Sequence, residues 1–183
     1  SGPPIKVLSR EKPLPGLLWP EPPAPARITY GGHFSTPEDL GIRKNLFTRF
    51  TDFIFGRDAV HMVQPTAVIT SPDGLVYVAD PALNGIHRFD LLEHEYQFIS
   101  TADDIALVTP VAFTRGNASD IYFTDSSLGK VFVIDSNKNT VHALSLTVKL
   151  AQPTGLAFNP ATGDLFVVDT GEHNIVVFNK EKY

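Results

Sequence analysis

Three stretches of the chain repeat one alternation of apolar and polar positions. They read QPTAVITSPDGLVYVAD from Gln64 to Asp80, TPVAFTRGNASDIYFTD from Thr109 to Asp125, and QPTGLAFNPATGDLFVVD from Gln152 to Asp169. The prolines Pro65, Pro110 and Pro153 lie 45 and 43 residues apart, and each stretch closes on an Asp 15, 15 and 16 residues after its proline. Ten more residues lead to Asp90, Asp135 and Asn179. Two internal spacings held over three copies mark a structural repeat rather than an accident of composition.

Each copy predicts the same elements. A short apolar strand follows the proline. Next comes a turn of residues that accept or preset unusual backbone angles: Ser71-Pro72-Asp73-Gly74, Arg115 to Asp120, and Asn159 to Asp164. A β-branched and aromatic second strand follows, as in Leu75 to Ala79, Ile121 to Thr124 and Leu165 to Val168. After the Asp and a polar loop, a third strand runs over Ile86 to Phe89, Val131 to Ile134 and Ile175 to Phe178. A weaker fourth strand fits Tyr96 to Ser100 and Val141 to Leu146. Four antiparallel strands every 43–45 residues predict β-propeller blades, over about 61–103, 104–148 and 149–183.

The region before the repeats has other patterns. Residues 3–25 carry eight prolines, which predicts an extended arm over 1–26. Trp19 within it is expected to pack on the propeller's side, or else to serve as a recognition handle. Ala26 to Phe34 alternates like a strand with Ile28 and Tyr30 on one face, and Gly31-Gly32 in it predicts a bulge or a close approach. Leu46, Phe50, Phe53 and Ile54 fall at helical spacing, with Phe47 beside them and Arg43, Lys44 and Arg49 mostly opposite. This predicts one short helix over 44–55, ended by Gly56, within a segment spanning 27–60. Its aromatic stripe is expected to cap a blade, and its basic side gives it the alternative of touching a membrane or a partner.

Composition changes the picture in three places. The net charge of -5 argues against a nucleic-acid partner, which would favour a basic face. The absence of cysteine excludes disulfides, thiolate metal sites and a Cys nucleophile. No run of about 18 apolar residues is present to form a membrane-spanning helix. The opening Ser1-Gly2 looks like the scar of a cleaved tag, so a natural N-terminus, with any export signal it carried, is open to having been removed.

Candidate chemistry is sparse. No Gly-x-Ser-x-Gly elbow, His-x-His pair or His-Glu-x-x-His motif occurs. His87 and His142 lie in predicted strands, where packing or solvent contact is expected. Asp80, Asp125 and Asp169 end every second strand, and three acids near an axis could bind a cation. Their recurrence in each copy instead predicts structural acids that accept backbone N–H bonds in the loop that follows. No metal, cofactor or catalytic residue is assigned.

The combination of proline, apolar strand, Asp-Gly turn, "LYVAD"-like strand and "xIxxF[DN]" strand resembles the NHL repeat, from about Gln64 to Asn179. The second copy departs from it, with Val111 in place of an early glycine and a longer turn. The resemblance implies an all-β propeller of four-stranded blades, usually about six to a ring, used mainly as a binding platform. Three blades make half of such a ring. Either the chain is a truncated half, or two copies join head to tail, each contributing Arg27 to Phe34 to the partner's unfinished third blade. A proline-rich tether before a propeller resembles exported bacterial lipoproteins of this family. That implies an extracytoplasmic place, periplasmic or lipoprotein-like, with membrane contact only through a missing N-terminal anchor or the 44–55 helix.

The function expected is a non-catalytic scaffold that binds a protein or other ligand on one loop face. Asn84, Ser126, Ser127, Glu172, His173, His61 and Gln64 are the candidate residues of that face. The alternative is a lactonase- or lyase-like enzyme with an axial metal. That would need polar inward residues on the first strands, and these read Ala67-Val68-Ile69, Val111-Ala112-Phe113 and Leu156-Ala157-Phe158.

Overall fold

The structure is a computed structural model that describes residues 18–20, 23–25, 27–42 and 61–179. The chain forms two compact units, Ser1–His61 and Met62–Tyr183. The expected helix over 44–55 lies outside the described residues, as does most of the arm.

In the first unit, β1 (Leu18–Trp19) pairs antiparallel with β2 (Ile28–Thr29). Among the described residues, the strand expected over Ala26 to Phe34 is therefore two residues long. Gly31 and Gly32 fall outside it, and open space surrounds the position of a Cβ on Gly31, so no close approach requires a glycine there. Trp19 is 62% exposed, since a two-residue ladder has no face broad enough to bury an indole. A 3-10 turn over Pro37–Leu40 follows. Thr36 caps it, and the Asp39 carboxylate accepts the Ser35 and Thr36 N–H groups at 2.9 and 3.0 Å. The Ser35 bond, with those of Thr36, holds the Asp39 carboxyl below its ordinary range against the opposing effect of burial.

The second unit is all β. Blade 1 orders β3 (Ala67–Thr70), β4 (Leu75–Asp80), β5 (Gly85–Asp90) and β6 (Glu95–Ile99) side by side. A small hairpin of β7 (Thr101–Ala102) and β8 (Ile105–Ala106) leads onward. Blade 2 orders β9 (Pro110–Arg115), β10 (Asp120–Asp125), β11 (Lys130–Asp135) and β12 (Thr140–Ala143). Blade 3 has β13 (Pro153–Asn159), β14 (Asp164–Asp169) and β15 (Asn174–Phe178), three strands among the described residues. Every pairing within a blade is antiparallel, as up-and-down connection through short turns requires.

Strand alternation sorts the side chains onto two faces. One face of blade 1, with Leu75, Tyr77, Ile86 and Ile99, meets Ile121, Phe123, Phe132 and Ile134 of blade 2. Leu107 and Ala102, from the connecting segment, join this core. On the opposite face of blade 2, Tyr122 and Val131 meet Leu165, Val167 and Phe178 of blade 3, with Leu150 between. A one-residue slip in any strand would turn these sets outward, so packing between blades fixes the register. The far face of blade 3 is open: Val168, Ile175 and Val177 are 36%, 63% and 48% exposed.

Candidate functional site

The recurrent acids organise one end of each blade. Asp80 accepts the N–H groups of Val63 and Gln64 at 2.6 and 3.1 Å. Asp125 accepts those of Val108 and Thr109 at 2.8 and 3.0 Å, and that of Leu128 at 3.1 Å. Asp169 accepts those of Ala151 and Gln152 at 2.7 and 2.8 Å, and that of Gly171 at 3.1 Å. All three side chains are buried. The shared partners lie in the loop before the first strand, 16–18 residues upstream, and not in the following loop where sequence placed them. From the following loop, Asp125 adds the N–H of Leu128, and Asp169 adds those of Gly171 and Glu172. Each acid thus ties the loop entering a blade to the end of its second strand.

The chemistry follows the geometry. Burial disfavours the charged Asp169 carboxyl, but backbone N–H bonds from Gln152, Ala151, Glu172 and Gly171 outweigh it and hold the group below its ordinary range. Its lone pairs are occupied by these donors. Among the described residues no three His, Asp or Glu side chains group so that they could hold a metal ion.

Neighbouring loops join into a continuous rim. Ser126 and Thr170 donate backbone N–H bonds to Thr109 and Gln152 carbonyls within their own blades. Between blades, the Asn84 Nδ2 donates to the Val108 carbonyl at 2.7 Å. Gly129, at φ +62°, comes so near the next blade that a Cβ would lie 2.5 Å from the Leu150 oxygen. Only glycine accepts both that backbone angle and that approach.

The candidate rim residues have different surroundings. Asn84, Ser127, Glu172, His173 and Gln64 are exposed in the second unit. Ser126 is buried at 8% exposure, because its backbone closes the turn onto Thr109 and draws the side chain inward. The Ser127 hydroxyl bonds that of Thr109 at 2.6 Å. Asn84 and His173 both sit at positive φ, 56° and 54°, which aims their side chains off the strand axis. His61 is exposed but belongs to the first unit. The inner strands carry Val68, 66% exposed, and the partly buried Val111, Ala112 and Phe113, which supply no polar group.

Sequence reasoning missed one polar cluster. His87 is fully buried on β5, with Nε2 3.5 Å from the Asp80 carboxylate and Nδ1 3.0 Å from the Tyr96 hydroxyl. Its ring stacks near that of Phe89 at 6.1 Å and meets Phe98 edge-on at 5.1 Å. The seventh residue after the acid is His87 in blade 1, Phe132 in blade 2 and Val176 in blade 3. That odd polar residue at an apolar place was the available signal. Burial pushes the imidazole below its ordinary pKa, against the opposing pull of Asp80. Below about pH 6.5 the unfolded chain takes up a proton that the folded chain resists, so stability falls with pH. Thermal melts from pH 7 to pH 5 should show a steeper loss for the native chain than for His87→Phe. Equal slopes would remove His87 as the cause. His142, by contrast, is an exposed partner of Asp103 at 2.7 Å, on the outer strand of blade 2.

Comparison with known proteins accords with this geometry. The NHL repeat family matches residues 150–178, which contain the acid clamp and all of β14 and β15. Blade 3 is thus similar to an NHL repeat. No curated protein matches the chain. Among solved structures, virginiamycin B lyase from Staphylococcus aureus is similar at 17% identity and a TM-score of 0.54, over 66% of this chain and 39% of that one. A streptogramin B lyase is similar at 16% identity and a TM-score of 0.51, over 63% of this chain and 37% of that one. A nidogen/laminin complex structure has 22% identity and a TM-score of 0.49, over 66% of this chain and 46% of that one. The chain thus spans less than half the length of each. The two lyase likenesses show the fold alone, a set of propeller blades.

Proposed function

We propose that the NHL-type blades form a non-catalytic scaffold that binds a protein partner on the rim of loops. One observation carries this reading: buried acids fix the rim backbone in all three blades, while Gln64, Ser127, Glu172 and His173 stand exposed above it. Varied side chains on a rigid loop array suit recognition. The apolar inner strands support binding rather than axial catalysis, and a stoichiometric metal in the purified protein would revive the enzyme reading. The same proposal places the domain outside the cytoplasm and includes association of two copies. As a test, the immobilised chain should retain a protein from an extracytoplasmic fraction, and Glu172→Lys combined with Gln64→Arg should release it. Undiminished capture by that variant, or capture from the cytosolic fraction alone, would count against the proposal.

A further inference from the structure

Three residues stand four places after the recurrent acids: Asn84, Gly129 and His173. All three have positive φ, at 56°, 62° and 54°. The turn after each second strand thus demands a left-handed backbone, which Gly and Asn accept most readily. The next position differs between blades. It holds Lys130 in blade 2 and Asn174 in blade 3, but Gly85 in blade 1. A Cβ on Gly85 would lie 2.4 Å from Cζ of Phe98 and 2.7 Å from the Ile99 oxygen, so packing excludes any larger residue there. The counterpart of Phe98 on β12 is Ala143, a methyl group where blade 1 has a ring. Two separate demands therefore set Asn before Gly at one point of the rim. It is the only Asn-Gly pair in the chain.

An asparagine followed by glycine carries its own reaction. With no side chain in the way, the Gly85 backbone nitrogen can attack the Asn84 carboxamide carbon. The N–Cγ bond forms, the Cγ–Nδ2 bond breaks, and the amide nitrogen leaves as ammonia with the Gly85 proton. Water then opens the succinimide at either carbonyl, leaving aspartate or isoaspartate at position 84. Asn84 is exposed, so water reaches it. The fold opposes the first step. Asn84 Nδ2 donates to the Val108 carbonyl at 2.7 Å, which holds the carboxamide toward blade 2. Gly85 is buried and stands opposite Asp80 in the β4–β5 ladder. The carboxamide can swing toward the Gly85 nitrogen only when its bond to Val108 is broken. The product also reverses that bond. A carboxylate has no hydrogen to donate and sets a negative oxygen against the Val108 carbonyl. Val108 is the residue whose N–H Asp125 holds at 2.8 Å, so the loss falls on the clamp of blade 2.

We propose that Asn84-Gly85 is a deamidation site, that the Asn84–Val108 bond restrains it, and that its conversion unlatches blade 1 from blade 2 at the rim. The reaction consumes only water and adds one negative charge to the rim. It stands whether or not the rim binds a protein.

The test holds the full chain in warm, mildly alkaline buffer, native and in guanidinium, and digests samples at intervals. Conversion is read from the mass of the peptide that contains Asn84 and from enzymatic methylation of isoaspartate. The unfolded chain should convert faster at Asn84 than at any other asparagine. The native chain should convert there at least about tenfold more slowly, because only the locally open fraction reacts. Phe123→Leu, which thins the buried core between blades 1 and 2, should fall between the two. Equal rates in the native and unfolded chains would overturn the restraint. No preference for Asn84 in the unfolded chain would overturn the site. Asn84→Asp supplies the aspartate product directly. It should lower the urea midpoint more than Asn84→Gly, which removes the bond to Val108 without adding charge and keeps a residue suited to positive φ. A native midpoint for Asn84→Asp would overturn the unlatching.

Discussion

Asp125→Ala should be among the most damaging single substitutions in the chain. The carboxylate is fully buried and accepts three backbone N–H groups, from Val108, Thr109 and Leu128. Alanine leaves those donors without their acceptor. Each buried group left unpaired costs about 1–3 kcal/mol, so a loss of about 3 kcal/mol or more is expected even if one donor recovers a partner. The damage should spread beyond blade 2. Val108 and Thr109 belong to the loop that Asn84 joins to blade 1, and the strand that Asp125 ends packs against both neighbours. Asp125→Asn keeps one acceptor oxygen and should cost less. Urea unfolding read by circular dichroism gives both values. A change of under about 0.5 kcal/mol for the alanine variant, the range usual for surface positions, would mean that the clamp does not hold the rim.

The legible parts of this fold were those written in spacing. Blades 1 and 2, and the hairpin turns at Gly74 and Gly163, follow from local pattern because each strand pairs with its neighbour in sequence. The acids were visible as recurrent residues, but their main partners were not. A carboxylate that follows a strand reads as a cap for the next loop, whereas here the chain doubles back and brings donors from 16–18 residues upstream. β7 and β8, two residues each, are too short to leave a period. Ser126 looked exposed because Ser is a loop residue, yet one backbone bond to Thr109 turns it inward. His87 looked ordinary because a single histidine in a strand carries no pattern, and its contacts to Asp80 and Tyr96 depend on cross-strand placement. In Ala26 to Phe34 the alternation is real, but among the described residues it pairs only at Ile28 and Thr29, with β1.

Phe123→Ala should separate the unfolding of blade 1 from that of the blades after it. Phe123 is fully buried on β10, 5.0 Å from the ring of Phe132 in stacked geometry and 6.1 Å from that of Phe113. It lies in the core shared with Leu75, Tyr77 and Ile86 of blade 1. Truncating a buried Phe typically costs about 3–5 kcal/mol, through lost transfer energy and the cavity left behind. In a repeat array, stability is roughly a sum of the blades' own terms and those of their interfaces. A cavity at one interface lowers the coupling between blade 1 and blade 2, and leaves the contacts of Leu165, Val167 and Phe178 with blade 2 in place. The unfolding curve should therefore shift to lower denaturant and also broaden or divide relative to that of the native chain. Ile175→Ala, at a position 63% exposed on blade 3, should move the midpoint little, by about 0.5 kcal/mol or less. A single sharp transition for Phe123→Ala, displaced without broadening, would show that the blades unfold as one body whatever the state of that interface. The same result would make the rim a rigid unit across all three blades.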